Sequence, residues 1–190
     1  GGEITARNAD GSARHLYDAA FDLFSCKKPV VAAIQGAAVG GGLGVACFAD
    51  FRIAAPEARF TANFARLGFH HGFGLTATLP ALVGQQKALE LLYTGARIKG
   101  EEAVAIGLAD RLVPLESLRA AAYELAGEIA ASAPLAVESI RDTMRGHLPQ
   151  AIRAATDREK VEQDRLRTTD DWKEGVAAMN ERRTPDFSRK

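Results

Sequence analysis

The chain has 190 residues, with 24 Lys and Arg against 24 Asp and Glu, so no basic surplus exists to condense onto phosphates and nucleic-acid binding is disfavoured. Hydrophobic residues make up 47% and charged residues 25%, globular proportions that exclude intrinsic disorder and allow one domain with a small appendage. The two cysteines, Cys26 and Cys47, have neither metal-ligand spacing nor the density of a secreted scaffold, which implies unpaired thiols in a reducing compartment.

In chain order, Ser12 can cap a helix whose apolar residues Ala13, Leu16, Tyr17, Ala20, Phe21 and Phe24 recur at three- and four-residue steps and which ends near Cys26. Pro29 stops it, and Val30 to Ile34 is a short apolar run that reads as a strand buried on both faces. Gly36, Gly40, Gly41 and Gly42 then lead into a short buried helix from Leu43 to Ala49. Phe51 to Ala54 and Arg59 to Ala62 read as strands on either side of a turn at Pro56-Glu57. The segment from Asn63 to Gly74 fits neither periodicity and reads as a loop of the kind that carries function. Helices follow at Leu75 to Leu82, Gln85 to Thr94 and Glu101 to Ile106, each ended by a glycine, and Leu108 to Val113 returns as a strand.

From Leu115 the composition shifts to Ala, Glu, Arg and Leu, giving helices near 115–132, 134–146, 149–168 and 171–182, with Pro134 and Pro149 at helix starts. The expectation is an α/β core over 1–114 and a helical region over 115–190 that packs on the core or on another subunit. Lys28, Asp50 and Arg52 interrupt the most hydrophobic stretch well short of the roughly 18 residues a membrane helix needs, and no secretory signal opens the chain, so the cytoplasm is the default compartment.

The passage from a strand through Gln35 to Gly42 into a helix presents backbone N–H groups at a helix N-terminus, where an oxyanion or a phosphate can bind. No Walker lysine and no G-x-G-x-x-G with a following acidic residue accompanies it. Taken alone, the run slightly favours close packing of helix on strand. His70 and His71 are the loop groups that can act as bases near neutral pH, and they are not distinguishable from sequence; a loop histidine more commonly caps a helix or lines a subunit contact. Asn63 and Arg66 can orient a polar substrate group or cap a turn. Asp50 fits a role in fixing backbone N–H groups, Cys47 carries no sign of activation, and His15 and His147 fit structural or solvated positions. Metal-ligand spacing is absent.

The ordered run K-K-P-V-V-A-A-I-Q-G-A-A-V-G-G-G, then A-D-F-R-I-A, then Y-T-G-A-R-I-K-G-E-E-A-V-A-I-G-L-A-D-R-L-V-P closely resembles the crotonase superfamily, the enoyl-CoA hydratase/isomerase family. Asp171, Glu174-Gly175, Arg182-Arg183 and Pro185-Asp186-Phe187 look like that family's closing helix. The resemblance covers nearly the whole chain and implies a spiral of β-β-α units with a C-terminal helical region, assembled as a homotrimer or homohexamer. Gly1-Gly2-Glu3-Ile4 is similar to the family's A-G-A-D-[IL] segment, which implies a chain lacking its first strands. By the same resemblance, the N–H groups of Gly2 and Gly41 would form an oxyanion hole for an acyl-CoA thioester, with no separate cofactor, in a lyase or isomerase of fatty acid metabolism. The family's two glutamates correspond to Gly44 and Phe64, neither of which can transfer a proton, so ordinary hydration is in doubt and His70 or His71 is the substitute. Hydrolysis, decarboxylation or C–C cleavage of an acyl-CoA, or acyl-CoA binding without chemistry, are the alternatives.

Overall fold

The computed structural model describes residues 23–190 and, upstream of them, two short strands, Ala6–Arg7 (β1) and Ala13–Arg14 (β2), paired antiparallel. The helix expected from Ser12 is therefore wrong at its start, because Ala13 and Arg14 are extended and pair with Arg7 and Ala6. Strand pairing overrides the apolar spacing there, as tertiary context does to weak local propensity.

The next two strands, Val31–Ile34 (β3) and Ala37–Val39 (β4), lie in different sheets, and the chain passes between them through Gln35 and Gly36. After helix α1, Gly41–Phe48, the move is repeated: Phe51–Ala54 (β5) lies parallel to β3, and Arg59–Thr61 (β6) lies parallel to β4. The two corners stack, since the Ala55 N–H donates to the Ile34 carbonyl at 3.1 Å and the Arg59 N–H to the Gly36 carbonyl at 2.9 Å. Each turn of the chain thus adds one strand to each sheet. The strands Arg97–Lys99 (β7) and Arg111–Leu112 (β8) complete the sheets, β7 antiparallel to β6 and β8 parallel to β5.

Strands β4 and β7 depart from the sequence reading. The first lies inside the glycine cluster, and the second has a single apolar residue, Ile98, between two charges. Their partners across the sheet, Phe60 for both Ala38 and Ile98, supply the packing that makes them strands.

Helix Leu75–Val83 (α2) packs on α1 and on Gln85–Thr94 (α3), and Gly100–Ala105 (α4) meets β6, β7 and β8. Leu43, Cys47, Phe60, Leu75, Leu79 and Leu108 form the centre of the core, and a fully buried leucine there contributes roughly 1.5–3 kcal/mol. The C-terminal helices pack onto this core. Leu118 and Leu125 of Leu118–Ala130 (α5) meet Ile53 and Ala55, and Ile152 of Leu148–Leu166 (α7) sits among Phe24, Phe48 and Phe73. In Asp170–Glu181 (α8), Gly175 lies so close to Leu67 that a Cβ would stand 2.5 Å from its backbone. Pro134–Arg145 (α6) differs: it buries no side chain fully, and Leu135, Ile140 and Met144 are 81%, 64% and 69% exposed. Among the described residues, no helix is long and apolar enough to cross a membrane.

Candidate active site

The N-terminus of α1 is shaped by Gly40, whose φ of 55° and ψ of −115° lie where a side chain would be strained. The Gly40 N–H donates to the Thr61 carbonyl at 3.0 Å, which suspends the turn from β6, and the Gly44 N–H closes the first helical turn on the Gly40 carbonyl at 3.1 Å. The N–H groups of Gly41, Gly42 and Leu43 therefore have no acceptor within the helix, and no acidic residue occupies the first turn. This end of the helix carries the partial positive charge that favours an anion or an oxyanion. Gly2, the expected second donor, lies outside the described residues.

Two phenyl rings wall this turn. Phe64 lies 3.5 Å from where a Gly40 Cβ would stand, and the Phe73 ring lies 3.1 Å from a Cβ on Gly41. Gly44 is tighter still, since its Cβ would meet the Phe73 Cβ at 2.4 Å and the Phe73 carbonyl at 3.0 Å. No side chain fits at position 44 while Phe73 keeps this backbone. Phe73 itself has φ 63°, a left-handed conformation that costs a non-glycine residue about 1–2 kcal/mol. Packing against Phe24, Phe48 and Ile152 offsets that strain and keeps the ring buried.

His70 and His71 stand on the same loop, just before Phe73. Their rings stack at 4.2 Å between centroids with 25° between planes. His70 Nδ1 lies 2.8 Å from the His71 carbonyl, which can only accept, so His70 donates from Nδ1. His71 Nε2 lies 2.8 Å from the Thr76 hydroxyl and 3.9 Å from Glu159 Oε1. Burial, reinforced by the neighbouring His70, lowers the His71 pKa to about 4, so the imidazole is neutral at pH 7 and the 3.9 Å approach to Glu159 is not an ion pair there. Burial outweighs the attraction of a carboxylate at that distance.

Glu159, on α7, is fully buried and was not singled out by the sequence. Its Oε2 accepts from the Gly74 N–H at 2.9 Å, and its Oε1 from the Thr76 N–H at 3.0 Å and the Thr76 hydroxyl at 2.7 Å. One turn further along α7, the Gln163 amide donates to the His70 carbonyl at 3.1 Å. The loop from His70 to Thr76 is thereby clamped by α7 while Phe73 presses it onto α1. The available signal was helical spacing: Ile152, Glu159 and Gln163 share one face, and only the first is apolar.

The weaker candidates serve the scaffold. Asp50 accepts from the Val30 N–H at 2.8 Å and pairs with Arg141 and Arg145 at 3.0 and 2.6 Å. Arg66 donates to the Thr94 carbonyl at 2.6 Å. Burial raises the Cys47 thiol far above neutrality, partly opposed by Arg52, so it is an inert core group. His147 is exposed at the start of α7. A cavity of about 640 Å³ between β3, α5 and α6 is lined by residues such as Pro29, Val31, Tyr123 and Val137, and includes none of Gly41, His70 or His71. Cavity size and candidate chemistry point to different places, and the donor geometry at Gly41 is the better guide because it specifies a ligand charge.

The model of the family described as enoyl-CoA hydratase/isomerase matches residues 2–190. The chain belongs to the enoyl-CoA hydratase/isomerase family. It is 38% identical over 161 residues to a crotonyl-CoA hydratase of Syntrophomonas wolfei, a match covering 85% of this chain and 62% of that relative. A short-chain-enoyl-CoA hydratase of Clostridium acetobutylicum is 36% identical over 157 residues, covering 83% and 60%. The chain thus spans about three-fifths of the length of these curated relatives. Among solved structures, an enoyl-CoA hydratase/isomerase from Pseudoalteromonas atlantica T6c superposes with a TM-score of 0.82 at 31% identity, over 88% of this chain and 68% of that one. The fold is accordingly the crotonase-type α/β spiral, with the stacked corners after β3 and β5 as two of its turns.

Proposed function

We propose that the protein is an acyl-CoA enzyme in which the N–H of Gly41, joined by that of Gly2, holds the oxygen of a thioester enolate. The observation that carries this reading is the α1 N-terminus, its first-turn N–H groups free of helical acceptors and walled by Phe64 and Phe73, in a chain of this family. A preorganised donor aimed at a developing oxyanion contributes about 2.7–4 kcal/mol, more where apolar walls keep water away. Coenzyme A is part of the substrate, and the reading invokes no separate cofactor.

Gly44 and Phe64 stand where the family's hydratases carry their glutamates, so the proton is moved by His70 or His71 rather than by a carboxylate pair. Delivery of a proton to the α-carbon of the enolate left by decarboxylation or C–C cleavage, or removal of a proton from water attacking the thioester carbonyl in hydrolysis, needs a single imidazole and fits this site better than hydration by a carboxylate pair. A homotrimer or homohexamer in the cytoplasm belongs to the same reading, the exposed face of α6 being the surface it would cover.

A turnover survey across acyl-CoA esters, with crotonyl-CoA included, tests this. Product from a non-hydration reaction with little crotonyl-CoA hydration supports it. Efficient crotonyl-CoA hydration that survives loss of both histidines overturns the histidine assignment. The apolar walls at Phe64 and Phe73 favour one second reading, an acyl-CoA-binding protein without chemistry, for which affinity without product is the signature.

A further inference from the structure

Proton counting along the contact chain from His71 to Glu159 separates the two adjacent histidines. Among the described residues, Glu159 is met only by donors: the Gly74 N–H on Oε2, and the Thr76 N–H and hydroxyl on Oε1. Backbone N–H groups on both oxygens fit a carboxylate, an acceptor at every position. Thr76 has one hydroxyl proton, and at 2.7 Å it goes to Oε1. The 2.8 Å bond between Thr76 Oγ1 and His71 Nε2 then has one possible donor, the imidazole.

We infer that Glu159 is a positioning residue for His71: through the Thr76 hydroxyl it holds the imidazole as the Nε2–H tautomer and leaves the basic lone pair on Nδ1. This rests on, and sharpens, the reading in which His70 or His71 moves the proton. His70 is fixed in the opposite sense, because its Nδ1 donates to the His71 carbonyl and its lone pair lies on Nε2. The stacked rings thus present different nitrogens to a substrate. The relay also binds the tautomer of His71 to the loop that carries Phe73, since Gly74 and Thr76 are anchored by the same carboxylate. Tautomer selection by the partner of the other ring nitrogen is how imidazole bases are set elsewhere.

Two-bond ¹H–¹⁵N correlation spectra of protein labelled with ¹⁵N-histidine read the tautomers directly, and loss of signals in His70→Asn and His71→Asn assigns them. The wild-type protein near neutral pH is expected to show His71 as Nε2–H and His70 as Nδ1–H. Thr76→Val removes the relay hydroxyl while keeping the side chain's volume and both backbone donors to Glu159, and should shift the His71 tautomer ratio by roughly three- to tenfold, the weight of one hydrogen bond. Thr76→Ser should restore it, and Glu159→Ala, which removes the acceptor of the Thr76 hydroxyl, should shift it as Thr76→Val does. If Glu159→Ala does not fold, the Thr76 pair carries the test. His71 found as Nδ1–H in the wild type, or a His71 spectrum indifferent to Thr76→Val, would overturn the inference. Tautomers are read without turnover, so failure of the relay is distinguishable from failure of the histidine reading, which would appear as normal activity of the His70→Asn and His71→Asn proteins.

Discussion

Asp50 and Glu159 each tie a C-terminal helix to the strand core, but with different partners. Asp50, at the end of α1, takes one backbone N–H and the guanidinium groups of Arg141 and Arg145 from α6, and those arginine side chains are 14% and 24% exposed. Glu159, inside α7, takes two backbone N–H groups and a hydroxyl, with no strong cation in its set and no exposure. Loss of Asp50 leaves two arginines that can turn to water. Loss of Glu159 leaves the buried Gly74 N–H of the site loop without an acceptor. The α6 link is thus electrostatic and, being only partly buried, weakly sensitive to salt, whereas the site loop is held by short-range bonds that salt hardly touches.

The largest expected difference between the two regions is in turnover. On the histidine reading, His71→Ala or His70→Ala lowers kcat by about 10²–10⁴, the usual weight of a positioned general acid or base. Asp50→Asn should leave kcat per folded molecule unchanged. A steady-state assay with the esters that give product decides it, and equal turnover in all three variants would dissolve the functional side of the comparison.

Stability comes next. Glu159→Ala opens a cavity and strands the buried Gly74 N–H, and is expected to cost about 3–5 kcal/mol. Asp50→Ala is expected to cost about 1–3 kcal/mol, less in high salt, because its arginines rehydrate. Urea unfolding at two ionic strengths measures both, and a smaller or more salt-sensitive loss at Glu159 than at Asp50 would reverse the argument.

That asymmetry also explains what could be read from the sequence. Gln85–Thr94 was legible to the residue because its apolar positions recur at helical spacing and glycines flank it at 84 and 95. The Asp50 role was readable because a short acidic residue at a helix end commonly fixes nearby N–H groups. Glu159 was not, since in a helix carrying Asp157, Arg158, Lys160 and Glu162 one more charge looks like a solvated face. Its burial depends on α7 meeting the loop before α2, a contact 85 residues apart in sequence. The absence of a side chain at Gly44 has a structural reason in Phe73, whose left-handed backbone no local pattern predicts.

Acid sharpens the comparison further. The His71 pKa is about 4 in the folded protein against an ordinary value of 6.5, so between those values the unfolded chain binds more protons than the native one. The contribution of His71 is fully present above pH 6.5 and is lost as pH falls toward 4. Its slope is at most about 1.4 kcal/mol per pH unit, and less in practice because the imidazole is one-fifth exposed. His71→Asn should flatten this part of the stability–pH curve, while Asp50→Asn should leave it in place. An unchanged slope in His71→Asn would mean that the ring titrates normally and is not shielded by the loop.

The smallest effect on the isolated fold is expected on α6, the helix that Asp50 holds. Ile140 and Met144, four residues apart, form a short apolar row on one side of the helix, with Leu135 on the opposite side, and all three stand more than half exposed. Isolated apolar side chains on a surface need no explanation, but a row on an element fastened mainly by ion pairs does. If the row meets another copy of the chain, Ile140→Glu places an unpaired charge in that contact. Chain stability at low protein concentration should then change by no more than about 0.5 kcal/mol, as for an ordinary surface substitution. Sedimentation velocity of the protein should instead report a shift from oligomer to monomer, and Arg145→Ala, which loosens α6 without touching the row, should produce a weaker shift in the same direction. An oligomer that withstands Ile140→Glu would place the subunit contact elsewhere and leave the ion pairs of Asp50 with a purely intramolecular task.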